Sequence, residues 1–226
     1  MKMYKYFLIA VIAVLCYSCS KETEGLSKET VPASVELLGD ATMLVKMGTD
    51  FVDPGCEAYE GDTKITNVTV SGTLNTNVPG RYTLRYTALN SDGVPTIAKR
   101  TVIVFDPATP TGFYKVSKDS YRNSPPSAEY KSEPTVLVYQ EESGNYYVSD
   151  LFGGYYAVGR GYGDAYAVGG SVKINAKGDI SLAVSGTTPW GDKFSAVAGK
   201  FDSQTQKINL TVSWNAYTFY LILIKQ

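Results

Sequence analysis

Few side chains in this sequence could do chemistry, because histidine is absent. Serine–histidine and cysteine–histidine nucleophiles and histidine-bound zinc are therefore excluded. A glycosidase instead needs two carboxylates about 5 to 9.5 Å apart. Five aspartates could supply them, and all lie at predicted strand ends or turns: Asp150, Asp164, Asp179, Asp192 and Asp202. Aspartate is common at such positions for backbone reasons alone, and no loop has EF-hand spacing, so we predict no enzyme, no metal and no cofactor.

Aromatic and glycine residues are concentrated between Gly144 and Gly170, where seven aromatic side chains and eight glycines occur in 27 residues. Glycine allows tight turns and close approach of a ligand, and tyrosine has a flat apolar face with a polar tip. This combination suits a binding surface, and it suits a tyrosine-rich antiparallel meander equally well. Strand alternation assigns several of the rings, and one tryptophan further along, to the core: Tyr146, Tyr156, Tyr166 and Trp214.

The remaining rings are candidates for ligand contact. Alternation turns Tyr147 and Tyr155 outward, Tyr162 lies in the turn GRGYGD, and Trp190 lies in the loop GTTPWGDK. A tryptophan in such a loop either packs back to close the end of the domain, or forms a platform that stacks on the apolar face of a sugar. In the second case nearby polar side chains would bind the sugar hydroxyls: Arg160, Asp164 and Asp192.

These residues belong to a predicted all-β unit, residues 112–226, in which short strand-like segments alternate with hairpin turns. We predict nine strands, near residues 113–117, 135–140, 145–151, 154–158, 165–174, 179–185, 194–201, 207–214 and 217–224. Eight or nine antiparallel strands without a helix indicate a β-barrel or a β-sandwich. The last strand is apolar on both faces, and we interpret it as a central strand buried on both sides.

A second predicted unit, residues 34–106, precedes it. The segment GRYTLRYTA alternates apolar and polar residues, as a half-buried strand does. This segment, GTDFVDPGCEA from Gly48 to Ala58, and the closing KRTVIV together resemble a bacterial immunoglobulin-like domain. The resemblance implies a small β-sandwich that serves bacterial surface proteins as a spacer or adhesive platform. Residues 107–111, which contain two prolines, are the predicted linker.

The first 18 residues are typical of a secretory signal. Two lysines precede the ten-residue apolar run 6–15, which is too short to span a membrane. The small residue Ser18 directly before Cys19 resembles the bacterial lipoprotein signal, which implies cleavage before Cys19 and lipidation of its sulfur. Residues 19–33 are the predicted tether. Its acidic start resembles the surface-export signal of Bacteroidota lipoproteins, although the same charges suit an ordinary solvated tether.

Charge and cysteine content narrow the class further. Removal of Lys2 and Lys5 with the signal leaves nineteen Lys and Arg against 22 Asp and Glu, a net charge of −3. No basic block is present, so we predict no nucleic-acid partner. Cys56 is the one cysteine left unmodified after Cys19, so no intramolecular disulfide can form.

The expected function follows from the predicted cell-surface location together with the aromatic side chains that are candidates for ligand contact. The C-terminal unit also resembles the C-terminal β domains of Bacteroidota surface lipoproteins, through segments such as YYVSDL and GKFD. We expect a lipid-anchored protein of the outer membrane, exposed at the cell surface, that binds a polysaccharide or oligosaccharide for an uptake system without acting on it. The alternative is a structural or interaction lipoprotein that docks on an outer-membrane transporter.

Overall fold

The computed structural model describes residues 30–123 and 129–226. The predicted signal segment 1–18, the lipidation site Cys19 and most of the predicted tether lie outside the described residues. Within them the chain forms two β-structures, as the sequence predicted, and the segment 106–111 connects one to the other. No helix in the described ranges is long and apolar enough to cross a bilayer.

Two small sheets form the first structure, which is the predicted immunoglobulin-like sandwich. Its strands are β1 (Ala33–Leu37), β2 (Thr42–Lys46), β3 (Cys56–Glu60), β4 (Thr63–Lys64), β5 (Val68–Ser71), β6 (Gly80–Leu89) and β7 (Pro95–Phe105). One sheet has the order β1-β3-β4 and the other β2-β7-β6-β5, with β2 and β7 parallel. The alternation predicted for β6 is confirmed, because Leu84, Tyr86 and Ala88 are buried while Arg81 and Arg85 are exposed.

The fully buried Arg100 binds residues of the motif by which the immunoglobulin-like sandwich was identified, Asp53 and Gly55. Its guanidinium donates to the Tyr86 hydroxyl at 3.1 Å and to the carbonyl oxygens of Leu38 and Gly55 at 2.8 and 2.9 Å. The Asp53 carboxylate lies 3.3 Å from Arg100 Nε and accepts from the Tyr86 hydroxyl at 2.7 Å. A buried cation is tolerated when it is paired and hydrogen-bonded in this way. The network fastens two loops to β7.

Replacing Arg100 by Met is expected to lower the free energy of unfolding of the sandwich by about 3 to 5 kcal/mol, because it removes the cation paired with Asp53 and leaves the carbonyls of Leu38, Asp40 and Gly55 without their donor. Arg85→Met on the exposed side of β6 is the matched control, with an expected change below about 0.5 kcal/mol. Calorimetry of the whole chain would measure both. Equal effects of the two substitutions would contradict a structural role for the network.

The second structure is a closed barrel. Its strands are β8 (Gly112–Val116), β9 (Tyr121–Arg122), β10 (Thr135–Gln140), β11 (Tyr146–Val148), β12 (Gly170–Ile174), β13 (Asp179–Ser185), β14 (Ala196–Asp202), β15 (Lys207–Trp214) and β16 (Tyr217–Lys225). Eight of these pair antiparallel in chain order, and β16 closes the ring on β8. The short β9 pairs with β16 outside that ring. Of the two predicted architectures, the barrel is therefore the correct one.

Side chains fill the barrel interior, as expected for eight strands. Ile208, Leu210, Val212 and Trp214 of β15 all point inward and are buried, as alternation predicted. The prediction for the last strand is wrong in part. Phe219, Leu221 and Leu223 are buried, but Tyr220 and Ile224 on the other face are exposed, because the outside of β16 faces solvent along much of its length.

The strands predicted at 113–117, 135–140, 179–185, 194–201, 207–214 and 217–224 are present, with ends shifted by at most two residues. The strand predicted at 154–158 is wrong: Tyr155–Gly159 is a single π-helical turn. The first part of the strand predicted at 165–174 is wrong as well, since Asp164–Tyr166 is a 3₁₀ turn. Gly153 and Gly154 have φ of 57° and 74°, which turns the chain instead of extending it.

The meander gives the barrel two different ends. Short turns at 141–145, 175–178 and 203–206 lie at the end where the connecting segment enters β8. The long connections 117–134, 149–169 and 186–195 lie at the opposite end, together with the tight turn between β15 and β16. Binding residues concentrate on loops carried by a rigid scaffold, so the end with the long connections is where a site is expected.

Candidate functional site

Five aromatic side chains form a continuous row across the end of the barrel that carries the long connections. The ring row consists of Tyr162, Tyr166, Trp190, Trp214 and Tyr217, in order of contact. Consecutive ring centroids lie 5.1, 5.3, 5.1 and 5.9 Å apart. Tyr162, Trp190 and Tyr217 are 52%, 46% and 39% exposed. Trp214 is buried and Tyr166 half-buried, so the row presents exposed ring surface at Tyr162 and Trp190 and again at Tyr217.

A deeper layer of rings supports the row. Phe152 is fully buried and lies 4.8 Å from Phe194, 5.1 Å from Phe219 and 5.2 Å from Trp214, centroid to centroid. Tyr156 packs beneath Trp190 at 4.9 Å. Edge-to-face contacts at such distances are the favoured arrangement of aromatic pairs. Trp190 thus packs against the barrel end and still presents nearly half of its surface, so it combines the two roles that the sequence left open.

The Asp192 carboxylate orients the Trp214 ring and the loop that carries Trp190. It accepts hydrogen bonds from the Thr188 hydroxyl, from Trp214 Nε1 at 2.7 Å and from Asn215 Nδ2 at 2.6 Å. These donors, Thr188 first, hold the pKa of Asp192 below its usual value, so the side chain is ionised. The Thr188 backbone N–H also donates to the Asp192 carbonyl at 2.8 Å, which closes the loop that carries Trp190.

A buried carboxylate, Asp150, shapes the connection that carries the tyrosines. It accepts from the backbone N–H groups of Phe152 at 2.8 Å, Gly154 at 2.7 Å and Val168 at 3.3 Å. Desolvation raises the pKa of Asp150 to about 6, against the opposing effect of these bonds. The carboxylate therefore joins the two ends of the connection and fixes the turn that leads into Tyr155 and Tyr156.

Two guanidinium groups lie beside the row, on the Tyr155 side. The Cζ atom of Arg122 lies 4.5 Å from the ring centroid of Tyr217 and 5.1 Å from that of Tyr155. Arg160 donates from Nη2 to the Tyr155 hydroxyl at 3.2 Å, and its Cζ lies 5.4 Å from the same ring centroid. Cation–π attraction and ring packing hold both groups in place.

The structure brings several of the predicted site residues together. Tyr162 and Trp190 belong to the ring row, Asp192 supports it, and Arg160 lies next to it through Tyr155. Asp164 is exposed at the start of the 3₁₀ turn between Tyr162 and Tyr166. The outward placement predicted for Tyr155 is wrong, because the ring is buried beneath the two arginines once the strand becomes a helical turn.

Tyr147 lies apart from this group. It is half-buried on β11, where its ring centroid is 5.4 Å from that of Tyr139. The Tyr139 hydroxyl accepts a 3.4 Å hydrogen bond from Arg81 of the sandwich. Tyr147 thus belongs to the region where barrel and sandwich meet, and the structure separates it from the row.

Four residues of the site were missed by the sequence reasoning: Tyr166, Trp214, Tyr217 and Arg122. Tyr166 was assigned to the core, yet it is only half-buried because its strand begins later. Trp214 is buried as predicted, but its ring links Trp190 to Tyr217 in the row. Arg122 meets Tyr217 through the pairing of β9 with β16, which links positions almost one hundred residues apart. The pattern of residues within one segment cannot indicate a contact between two such distant positions.

The other candidate carboxylates have backbone or pairing roles. Asp179 forms an ion pair with Lys200 at 2.8 Å, and Asp202 accepts from the N–H groups of Gln204 and Thr205 in a turn. Throughout 30–123 and 129–226 no cluster of three or more acidic or cysteine side chains could hold a metal ion.

Comparisons with known proteins give the family. A family model for a C-terminal domain matches residues 106–225, and the model of the bacterial surface protein Ig-like domain matches residues 35–104. The crystal structure of the lipoprotein BT2262 from Bacteroides thetaiotaomicron is 33% identical, with a TM-score of 0.64. The alignment covers 86% of this chain and all of that one. This chain belongs to the BT2262-like family.

Membership of the BT2262-like family confirms the predicted resemblance to Bacteroidota surface lipoproteins and the immunoglobulin-like module. The Ig-like model describes a module of bacterial surface proteins, and neither matched family is a known enzyme family. No curated protein matches the chain.

Proposed function

We propose that this protein is a non-catalytic glycan-binding lipoprotein, anchored in the outer membrane and exposed at the cell surface, where it captures polysaccharide for an uptake system. The observation that carries the proposal is the ring row, with three of its members exposed between 39% and 52%. A surface of this kind is unusual on a protein without a partner, because free ring area in water is costly. Sugar rings match it, since they have apolar C–H faces and polar edges.

The surroundings of the row support a carbohydrate more than a small apolar compound. The exposed rings, Tyr162, Trp190 and Tyr217, are spaced along one end of the barrel, and this arrangement can accept successive units of a polymer. Polar groups border it, among them Asn215 next to Trp214 and the exposed Lys193 beside Asp192. Binding sites combine apolar walls with a few such groups, which fix the orientation of the ligand. The position opposite the connecting segment also places the row at the end of the barrel away from the sandwich.

Native affinity electrophoresis against a panel of polysaccharides tests the proposal. We expect at least one polymer to retard the intact protein, with no change in the length of the polymer afterwards. If none of a broad panel retards it, the glycan-binding proposal is wrong. In that case cross-linking in cells would show whether the ring row is instead covered by a transporter protein, which is the alternative function.

A further inference from the structure

The arginines beside the ring row carry information about the charge of the ligand. Neither Arg122 nor Arg160 has a carboxylate within 4.0 Å among the described residues, where the ion pairs are Lys64–Glu57, Arg100–Asp53 and Lys200–Asp179. The buried Arg100 shows how this protein satisfies a guanidinium whose role is structural, through an acid and several carbonyls. The two arginines of the site lack such partners.

Their contacts leave most donors of each guanidinium available. A guanidinium has five N–H donors in its plane, and a ring that packs over its face occupies none of them. Arg122 lies against the rings of Tyr217 and Tyr155 and donates one hydrogen bond to the Tyr156 hydroxyl. Arg160 uses one donor on the Tyr155 hydroxyl and is otherwise exposed. Both groups are thus fixed in position with free in-plane donors, the geometry that binds carboxylate or sulfate oxygens in pairs.

The acidic side chains nearby do not fill this role. Asp192 is bonded to Trp214 Nε1 and already accepts from three donors. Asp164 is exposed two residues after Tyr162 and forms no ion pair with either arginine. Glu129 lines the same cavity as Arg160 and Tyr155 but forms no ion pair with either arginine, so the described part of the chain supplies no salt bridge to this positive charge.

We propose that the ligand is an acidic glycan, whose sugar rings stack along the ring row while its carboxylate or sulfate groups bind Arg122 and Arg160. This inference rests on the proposed glycan-binding function and adds a charge requirement to it. Affinity should fall as salt is raised, since ion contacts near the surface are screened within about 10 Å at 0.1 M ionic strength.

The test compares polymers that differ only in charge. Polygalacturonate and its methyl ester share one backbone, and the ester lacks the carboxylate charge. Chondroitin sulfate and its desulfated form distinguish sulfate from carboxylate. We expect the acidic member of at least one pair to bind at least tenfold more tightly in titration calorimetry. A loss on methyl esterification assigns carboxylate as the recognised group, and a loss on desulfation assigns sulfate.

The protein side of the test uses Arg160→Gln alone and Arg160→Gln with Arg122→Gln. We expect the double variant to lose at least tenfold in affinity for the acidic polymer, and Arg160→Gln, an exposed position, to lose part of it without loss of folding. Arg81→Gln is the matched control, because Arg81 also lies over a tyrosine, Tyr139, but away from the row. It should bind like the parent protein.

The outcomes separate the two proposals. Equal binding of charged and uncharged polymers, with no effect of the arginine variants, overturns the acidic-glycan inference and leaves glycan binding intact. Failure of every polymer to bind a folded protein overturns both. Equal losses in the Arg81 and Arg160 variants would show attraction by net charge alone, which also overturns the inference.

Discussion

Replacing Trp190 by Ala is expected to weaken glycan binding between tenfold and a hundredfold. The side chain is 46% exposed, which corresponds to roughly 100 Å² of free ring surface for a residue of this size. At about 25 cal/mol per Å², covering that area is worth about 2.5 kcal/mol. Titration calorimetry with the polymer selected by electrophoresis measures the loss directly.

Tyr220→Ala is the control for this experiment. Tyr220 is also an exposed ring, but it stacks on Tyr121 outside the barrel wall at 4.6 Å and does not belong to the row. Its removal should leave the affinity unchanged. If Trp190→Ala lowers the melting temperature while the folded fraction binds as before, then Trp190 only closes the barrel end and the proposed platform is wrong.

Replacing Asp150 by Asn is expected to lower the stability of the barrel by about 2 to 4 kcal/mol at neutral pH. The carboxylate accepts from three buried N–H groups, whereas an amide turns its own donors toward one of them. A buried donor left without a partner costs about 1 to 3 kcal/mol. Urea unfolding followed by tryptophan fluorescence is a suitable measurement, because Trp190 and Trp214 both lie at this end.

The same side chain should give the barrel a distinct pH dependence. The pKa of Asp150 is about 6 in the folded protein, against an ordinary 3.8, so between these values the folded state binds the proton more tightly than the unfolded state. Protonation of Asp150 therefore adds about 3 kcal/mol to the stability below about pH 4, on top of the hydrogen bonds that the side chain accepts, and this addition is lost as pH rises through 6.

Unfolding at pH 4.5 and pH 7.5 isolates this contribution when the parent protein and Asp150→Asn are compared. The parent should lose more stability than the variant between the two pH values. Asp164→Asn, an exposed change in the same connection, should keep the slope of the parent. Identical slopes for the parent and Asp150→Asn would contradict the raised pKa.

The sequence predicted the scaffold better than the site because different forces shape them. In β15, alternation follows the burial of one face, so Ile208, Leu210 and Val212 could be assigned correctly. Between Asp150 and Tyr166 the backbone follows one buried carboxylate and several glycines with positive φ. The alternation of buried and exposed positions does not apply to such a backbone, and the outward placement predicted for Tyr155 is wrong for that reason.

Barrel closure accounts for the residues that were missed. Arg122 and Tyr217 are neighbours only because β9 pairs with β16, and Trp190 meets Tyr166 only because two separate connections converge at one end. These contacts depend on the register of the closed sheet. Such contacts can be predicted once the strand order and register are known, and the pattern of residues along the chain does not contain this information.

The segment between the two β-structures is fastened to the barrel. Lys225 donates to the carbonyl oxygens of Pro107 and Thr109 at 3.2 and 2.8 Å, and the Gln226 backbone N–H donates to the Phe113 carbonyl at 2.9 Å. Gln226 and the start of β8 therefore lie at the same end of the barrel, opposite the ring row. A fluorescent protein or sensor surface joined after Gln226 would leave the row unobstructed, so immobilisation through that residue should report ligand capture without steric interference.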